Sequence, residues 1–106
     1  MVKRFEVYLV NLDAQPSEDP RNMRPAVIVS PDEMNRHIGH VIIAPMTTTE
    51  KSYPTRIATT FLNGERSIVL DQLRTVEKRR LVKKIGEIED SARKPALERL
   101  REIFAD

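Results

Sequence analysis

Arg24 and Thr47 stand at matching ends of two apolar runs, and together they are suited to chemistry at a phosphodiester. Arg24 precedes the run Pro-Ala-Val-Ile-Val at residues 25–29, and Thr47 follows Val-Ile-Ile-Ala-Pro-Met at residues 41–46. If residues 24–30 and 41–47 are antiparallel neighbours joined through residues 31–40, setting Ser30 against Val41 puts Arg24 opposite Thr47. Directly opposed residues point to the same face, with Cβ atoms about 4.5–5.5 Å apart. A guanidinium presents a planar fork of donors that matches phosphate oxygens. A neighbouring hydroxyl can donate to the same phosphate or orient a ribose hydroxyl. When that ribose 2′-hydroxyl is the nucleophile, the substrate already supplies proximity. The protein then adds charge stabilisation and proton management. Arginine keeps its proton at any ordinary pH, so the base is another group.

The register carries this argument, and a one-residue slip separates the pair. Pro45 marks a bulge or edge position that can cause such a slip. A competing reading pairs Arg24 with Glu18 or Asp19 and leaves the threonines to cap a turn. His37 and His40 are the only imidazoles. They fall in the connection at the far end of the proposed hairpin from Arg24 and Thr47, which favours a surface loop over an acid–base pair. With Asp32 or Glu33 they do not make up a metal-ligand set. Tyr53, beside Pro54, is the aromatic placed to stack on a base, with a loop anchor as the equal alternative. Lys78, Arg79, Arg80, Lys83 and Lys84 are clustered, with Glu87, Glu89 and Asp90 directly after them. They read either as a solvated surface or as a contact for RNA or an acidic partner.

The elements that must position these groups are mostly strands. Residues 5–12 are rich in valine, leucine and aromatics and read as a first strand. Residues 13–23 hold two prolines and many polar residues, a long exposed loop of the kind that carries function more often than not. Residues 25–29 and 41–46 read as buried strands, and residues 31–40 and 47–53 as polar connections. Residues 55–61 form a strand, followed by a hairpin signal at Asn63-Gly64. Residues 67–70 and 74–76 are short strands or one continuous strand, residues 78–82 a helical turn, and residues 85–88 a last strand. Leu97, Leu100, Ile103 and Phe104 recur at helical spacing, which predicts a terminal amphipathic helix. Asp90 or Ser91 can cap it, and Pro95 lies near its first turn. The sum is a mainly β, α+β fold: a small barrel-like sheet with helical decoration.

Composition bounds the rest. A chain of 106 residues suits one domain. The formal charge of +2 permits nucleic-acid binding without demanding it. Cysteine is absent, which removes disulfides, thiolate metal sites and cysteine nucleophiles. No apolar run approaches a membrane span and the start lacks a signal-peptide core, so a cytoplasmic setting is the default expectation.

The order FEVYLVNLD, RPAVIVSPDEMN, VIIAPMTT, YPTR, SIVLDQLRTVEKRRLVKKIGEI and REIF resembles the MazF/PemK toxins over essentially the whole chain. The resemblance implies an SH3-like, strongly bent β-barrel with a C-terminal helix, as in the MazF and CcdB toxins. It implies a homodimeric endoribonuclease that cuts single-stranded RNA without metal or cofactor, leaving 2′,3′-cyclic phosphate and 5′-hydroxyl ends. The family's catalytic arginine and threonine fall on Arg24 and Thr47. Its loop glutamate falls on Glu18, although Pro16-Ser17 stands where the family has Gly-Ser and the spacing to Arg24 differs. Thr48, Tyr53, Arg56 and Gln72 are implied as supporting or RNA-binding residues, and Asp71 as structural. A cognate antitoxin with an extended acidic tail is implied too, received by Arg24, Arg56 or the basic stretch at residues 78–84. Two alternatives remain: a non-catalytic topoisomerase poison like the CcdB toxins, or a regulatory nucleic-acid-binding barrel. The Arg-Pro and Pro-x-Thr-Thr segments favour the nuclease, because a poison does not need them.

Overall fold

Runs of β-branched residues broken by polar turns fold here into a curled antiparallel sheet. The computed structural model describes residues 1–12, 20–48 and 53–105. In chain order these form β1 (Glu6–Asn11), β2 (Met23–Ile28), α1 (Asp32–His37), β3 (His40–Thr47), β4 (Arg56–Phe61), β5 (Gly64–Val69), β6 (Arg74–Glu77), β7 (Leu81–Glu87) and α2 (Asp90–Ile103). Short 3-10 turns cover Pro20–Asn22, Leu70–Gln72 and Lys78–Arg80. The strand order is β4-β5-β3-β2-β1-β7, with β6 branching off β3.

Both faces of the central strands are covered, which explains their unbroken apolar character. On one face Val27 and Val29 of the β2 segment join Ala44, Met46, Ile57, Phe61, Ile68 and Ile88. Ala92 and Ala96 of α2 pack into that cluster. On the other face Ala26 and Ile28 join Val10, Val41, Ile43 and Val76. The end strands β4 and β7 are not hydrogen-bonded to each other. They meet instead through side chains: a Cβ on Gly86 would lie 2.9 Å from Phe61 Cε1. Gly86 also has φ 153°, a conformation that favours glycine. The curl of the sheet therefore needs a residue without a side chain at this point.

Several local expectations are corrected. The connection at 31–40 contains α1, which is held by a buried polar pin and not by an apolar stripe. Ser30 Oγ donates to Asn35 Oδ1 at 2.5 Å, and Asn35 Nδ2 donates to Ser30 O at 3.0 Å. Residues 67–76 are not one strand, because the turn Leu70–Gln72 separates β5 on one part of β3 from β6 on another. The last strand begins at Leu81, so the helical turn is confined to Lys78–Arg80. The hairpin is present, but its two turn residues are Leu62 and Asn63, at φ 50° and 60°, closed by the pair Phe61–Gly64. That register sets Ile57 against Ile68 in the core. The N-cap of α2 is Glu89, not Asp90 or Ser91, and its carboxylate makes no capping bond. It accepts instead from Thr59 Oγ1 and the Thr60 N–H of edge strand β4. The buried face of α2 is alanine, while Ile103 and Phe104 remain exposed.

Candidate active site

Two prolines shape the place where Arg24 and Thr47 lie. The β2–β3 ladder pairs Ala26 with Pro45, Val27 with Ala44 and Ile28 with Ile43, the register expected from the sequence. Val29 N–H donates to Ile42 O, and Ile42 N–H donates to Ser30 Oγ, so Ile42 turns its backbone polar groups toward β2. By strand alternation Pro45 turns its missing donor the other way. There β3 changes partner, from β6 at residues 40–43 to β5 at residues 46–47. No slip results.

Pro25 has the opposite effect. Phe5 N–H donates to Ile28 O, which fixes the even positions of β2 toward β1 and the odd ones toward β3. Pro25 therefore presents no donor to β3, and the ladder stops at the Ala26–Pro45 pair. Beyond it the strands take separate partners: Arg24 pairs with Val10 of β1, and Thr47 pairs with Ser67 of β5. The sheet forks there. Continuing the register by two residues sets Arg24 and Thr47 across the mouth of the fork, on the face that carries Ala26, Ile28 and Ile43.

Arg24 is exposed, and its Nη1 donates to Arg21 O at 2.8 Å and to Met23 O at 2.9 Å. The turn Pro20–Asn22 thus anchors one corner of the guanidinium, and among the described residues Nε and Nη2 carry no hydrogen bond. Among the described residues no carboxylate lies within ion-pair distance of it. Thr47 is half-buried and engaged in an interaction of its own, and Thr48 beyond the strand end is exposed. Glu18 and Asp19 lie outside the described residues, as does residue 49 onward to 52.

A second cluster sits at the start of β4. Thr55 Oγ1 donates to Asp71 Oδ1 at 2.9 Å, and Arg56 Nε lies 3.7 Å from the same oxygen. The Thr55 hydroxyl first, and the Arg56 charge after it, hold the Asp71 carboxyl below its ordinary value. The Arg56 guanidinium is 4.7 Å from the centre of the Tyr53 ring. Tyr53 is therefore in contact with Arg56 and half exposed. Gln72 is exposed in the turn next to Asp71.

The histidines fall at the other end of β3. His37 Nε2 is 3.1 Å from Glu33 Oε1 on the surface of α1, and His40 starts the strand whose far end is Thr47. The basic stretch is largely tied down. Lys78 Nζ donates to Asn35 O, Arg79 pairs with Glu77, Arg80 donates to Asn11 O, and Lys84 pairs with Glu6 at 2.6 Å. Sequence reasoning passed over Ser67, Thr55 and Arg99. Ser67 becomes visible as Thr47's neighbour only once the β3–β5 pairing is known.

A family model described as PemK-like, MazF-like toxin of type II toxin-antitoxin system matches residues 3–104. Among solved structures, an endoribonuclease in complex with its cognate antitoxin from Mycobacterial species is similar at TM-score 0.80 and 26% identity. The match covers 96% of this chain and 93% of that one. A further endoribonuclease from Mycobacterial species reaches TM-score 0.78 at 26% identity, covering 95% of this chain and 88% of that one. MazF from Deinococcus radiodurans reaches 0.75 at 22% identity over 96% and 94%, a likeness of fold.

Proposed function

Because the chain belongs to the PemK-like, MazF-like toxins of type II toxin-antitoxin systems, we propose that it is an endoribonuclease whose Arg24 and Thr47 act together on single-stranded RNA. The observation that carries this is the β2–β3 register, whose continuation sets the two residues across the fork left by Pro25. The 2′-oxygen attacks the adjacent phosphorus, the bond to the 5′-oxygen breaks, and the products are a 2′,3′-cyclic phosphate and a 5′-hydroxyl. The 2′-hydroxyl loses its proton as it attacks, and the leaving 5′-oxygen gains one. Free donors of the Arg24 guanidinium meet the charge that gathers on the phosphorane oxygens. The Thr47 hydroxyl donates to phosphate or holds the 2′-hydroxyl in line. The nucleophile comes with the substrate and the countercharge with Arg24, so the reaction as drawn calls for no metal. Its substrate would be cytoplasmic messenger RNA.

Two solved relatives named as endoribonucleases support the activity, and the complex of one with its cognate antitoxin supports a similar partner here. We place that partner's acidic tail against exposed cations of the fork face, where it excludes RNA. A homodimer of one toxin domain per chain completes the proposal. Purified protein incubated with single-stranded RNA in excess chelator tests it. Wild type is expected to cut at a few sites and Arg24→Ala to leave the RNA intact. Cleavage by both alike removes Arg24 from the mechanism.

A further inference from the structure

The fork is not the only place on this molecule suited to a nucleotide. Between edge strand β4 and α2 runs an open groove of about 540 Å³, whose walls include Tyr53, Arg56, Ala58, Ser91, Pro95 and Arg99. On its β4 wall Ala58 lies on the face of the fork, whereas Ile57 lies on the face that α2 covers. Thr47 pairs with Ser67, and Ser67 pairs with Ala58, so the three project to one side. Two strand spacings separate Thr47 from Ala58, roughly 10 Å, a distance that neighbouring nucleotides of an extended strand can bridge.

The chemistry of the groove suits a base and a phosphate together. Tyr53 is 48% exposed, with the Arg56 guanidinium 4.7 Å from the centre of its ring. An aromatic pinned on one face by a guanidinium leaves the other for a base. Arg56 Nε is buried without a hydrogen bond among the described residues, its Asp71 neighbour standing 3.7 Å away. Across the groove, Arg99 pairs with Glu102 at 2.8 Å in an exposed contact. Such a surface pair contributes little and exchanges readily for a phosphate. Pro95 has no N–H to give the Ser91 carbonyl one turn back, which leaves an acceptor on the same wall.

We propose that this groove is a second nucleotide subsite, in which one base of the RNA stacks on Tyr53 and its phosphate lies between Arg56 and Arg99. The inference rests on the proposed RNA substrate and adds where a flanking nucleotide is held. A short acidic peptide would satisfy the cations but makes no use of the open aromatic face.

The test is binding of a labelled random-sequence single-stranded DNA, which no 2′-hydroxyl attack can cut, with a polyglutamate peptide of similar charge as the comparison. Tyr53→Leu is expected to weaken DNA binding about tenfold and Tyr53→Phe to retain it, as a stacking role requires. Arg99→Gln should lower the salt dependence by roughly one phosphate contact, a slope change of about 0.7. DNA affinity unchanged in both Tyr53→Leu and Arg99→Gln overturns the subsite. So does an effect confined to polyglutamate. Cleavage of the matching RNA by wild type is read in parallel: its failure counts against the fork chemistry, while the binding data still decide the groove.

Discussion

Arg24 combines a charge with a shape, and the two can be separated. Arg24→Lys keeps the charge but loses the fork of donors and the pair of hydrogen bonds that Nη1 donates to Arg21 O and Met23 O. Cleavage is expected to fall about 100-fold or more in Arg24→Lys and Arg24→Ala, with RNA binding weakened far less in the lysine variant. Thr47→Ala should lose activity on a similar scale, with retained folding checked by its thermal unfolding. Glu6 gives a prediction of another kind. Burial pushes its carboxyl up, but the Lys84 ammonium and the Lys3 N–H outweigh that and hold it below its ordinary value of 4.5. A carboxyl depressed on folding contributes stability above its unfolded pKa and loses it as pH falls through the folded one. Thermal unfolding of wild type should therefore drop as pH falls below about 4.5, and Glu6→Gln should flatten that drop. An unchanged profile in the variant removes Glu6 from the acid sensitivity. Asp71, tied to Thr55 and Arg56, titrates in the same direction but is more open to water.

Among the elements, the β2–β3 hairpin was the most legible in the sequence, because two apolar runs of matched length admit few registers once both faces are buried. Pro45 looked like a threat to that register and is harmless, since its missing donor faces the edge where β3 changes partner. Pro25 was noticed only as part of the Arg-Pro segment, and it ends the ladder. Restoring a donor with Pro25→Ala should let β2 and β3 pair one step further and narrow the fork. The expected result is cleavage lowered by about tenfold or more with no loss of stability, read by activity and amide exchange at residue 25. Full activity in a variant whose new amide is protected would dismiss the fork as a requirement. Helix α1 was not legible, because Asn35 holds it through Ser30 and no apolar periodicity announces it. The apolar stripe of α2 marked the helix, and its Leu100 packs against the core. Close approach to β4 demands alanine at the contact, and larger apolar residues are left at the rim.

At the scale of the whole molecule, a curled sheet brings β4 and β7 together without a hydrogen bond between them. Gly86→Ala puts a methyl group against the Phe61 ring and strains a positive φ. Urea unfolding should show a loss of about 1–3 kcal/mol, with part of it recovered when Phe61→Leu makes room. Additive losses in the double variant would mean that the two residues do not press on each other. This closure was out of reach of sequence reasoning, as were the branch of β6 from β3 and the groove beside α2. Each joins residues far apart in the chain whose types carry no pattern. Strand content, the terminal helix and the β2–β3 register are local or depend on one hairpin, and these could be read. The position of Glu18 falls outside the described residues. The central claim is that the fork presents RNA for attack by its own 2′-hydroxyl, and the ends of the fragments test it most directly. Mapping the products of an RNA, and of the same RNA with one 2′-deoxynucleotide at the cut, should give 2′,3′-cyclic phosphate with 5′-hydroxyl ends in the first and no cut there in the second. Cleavage that survives the deoxy substitution, or leaves 5′-phosphate ends, contradicts it.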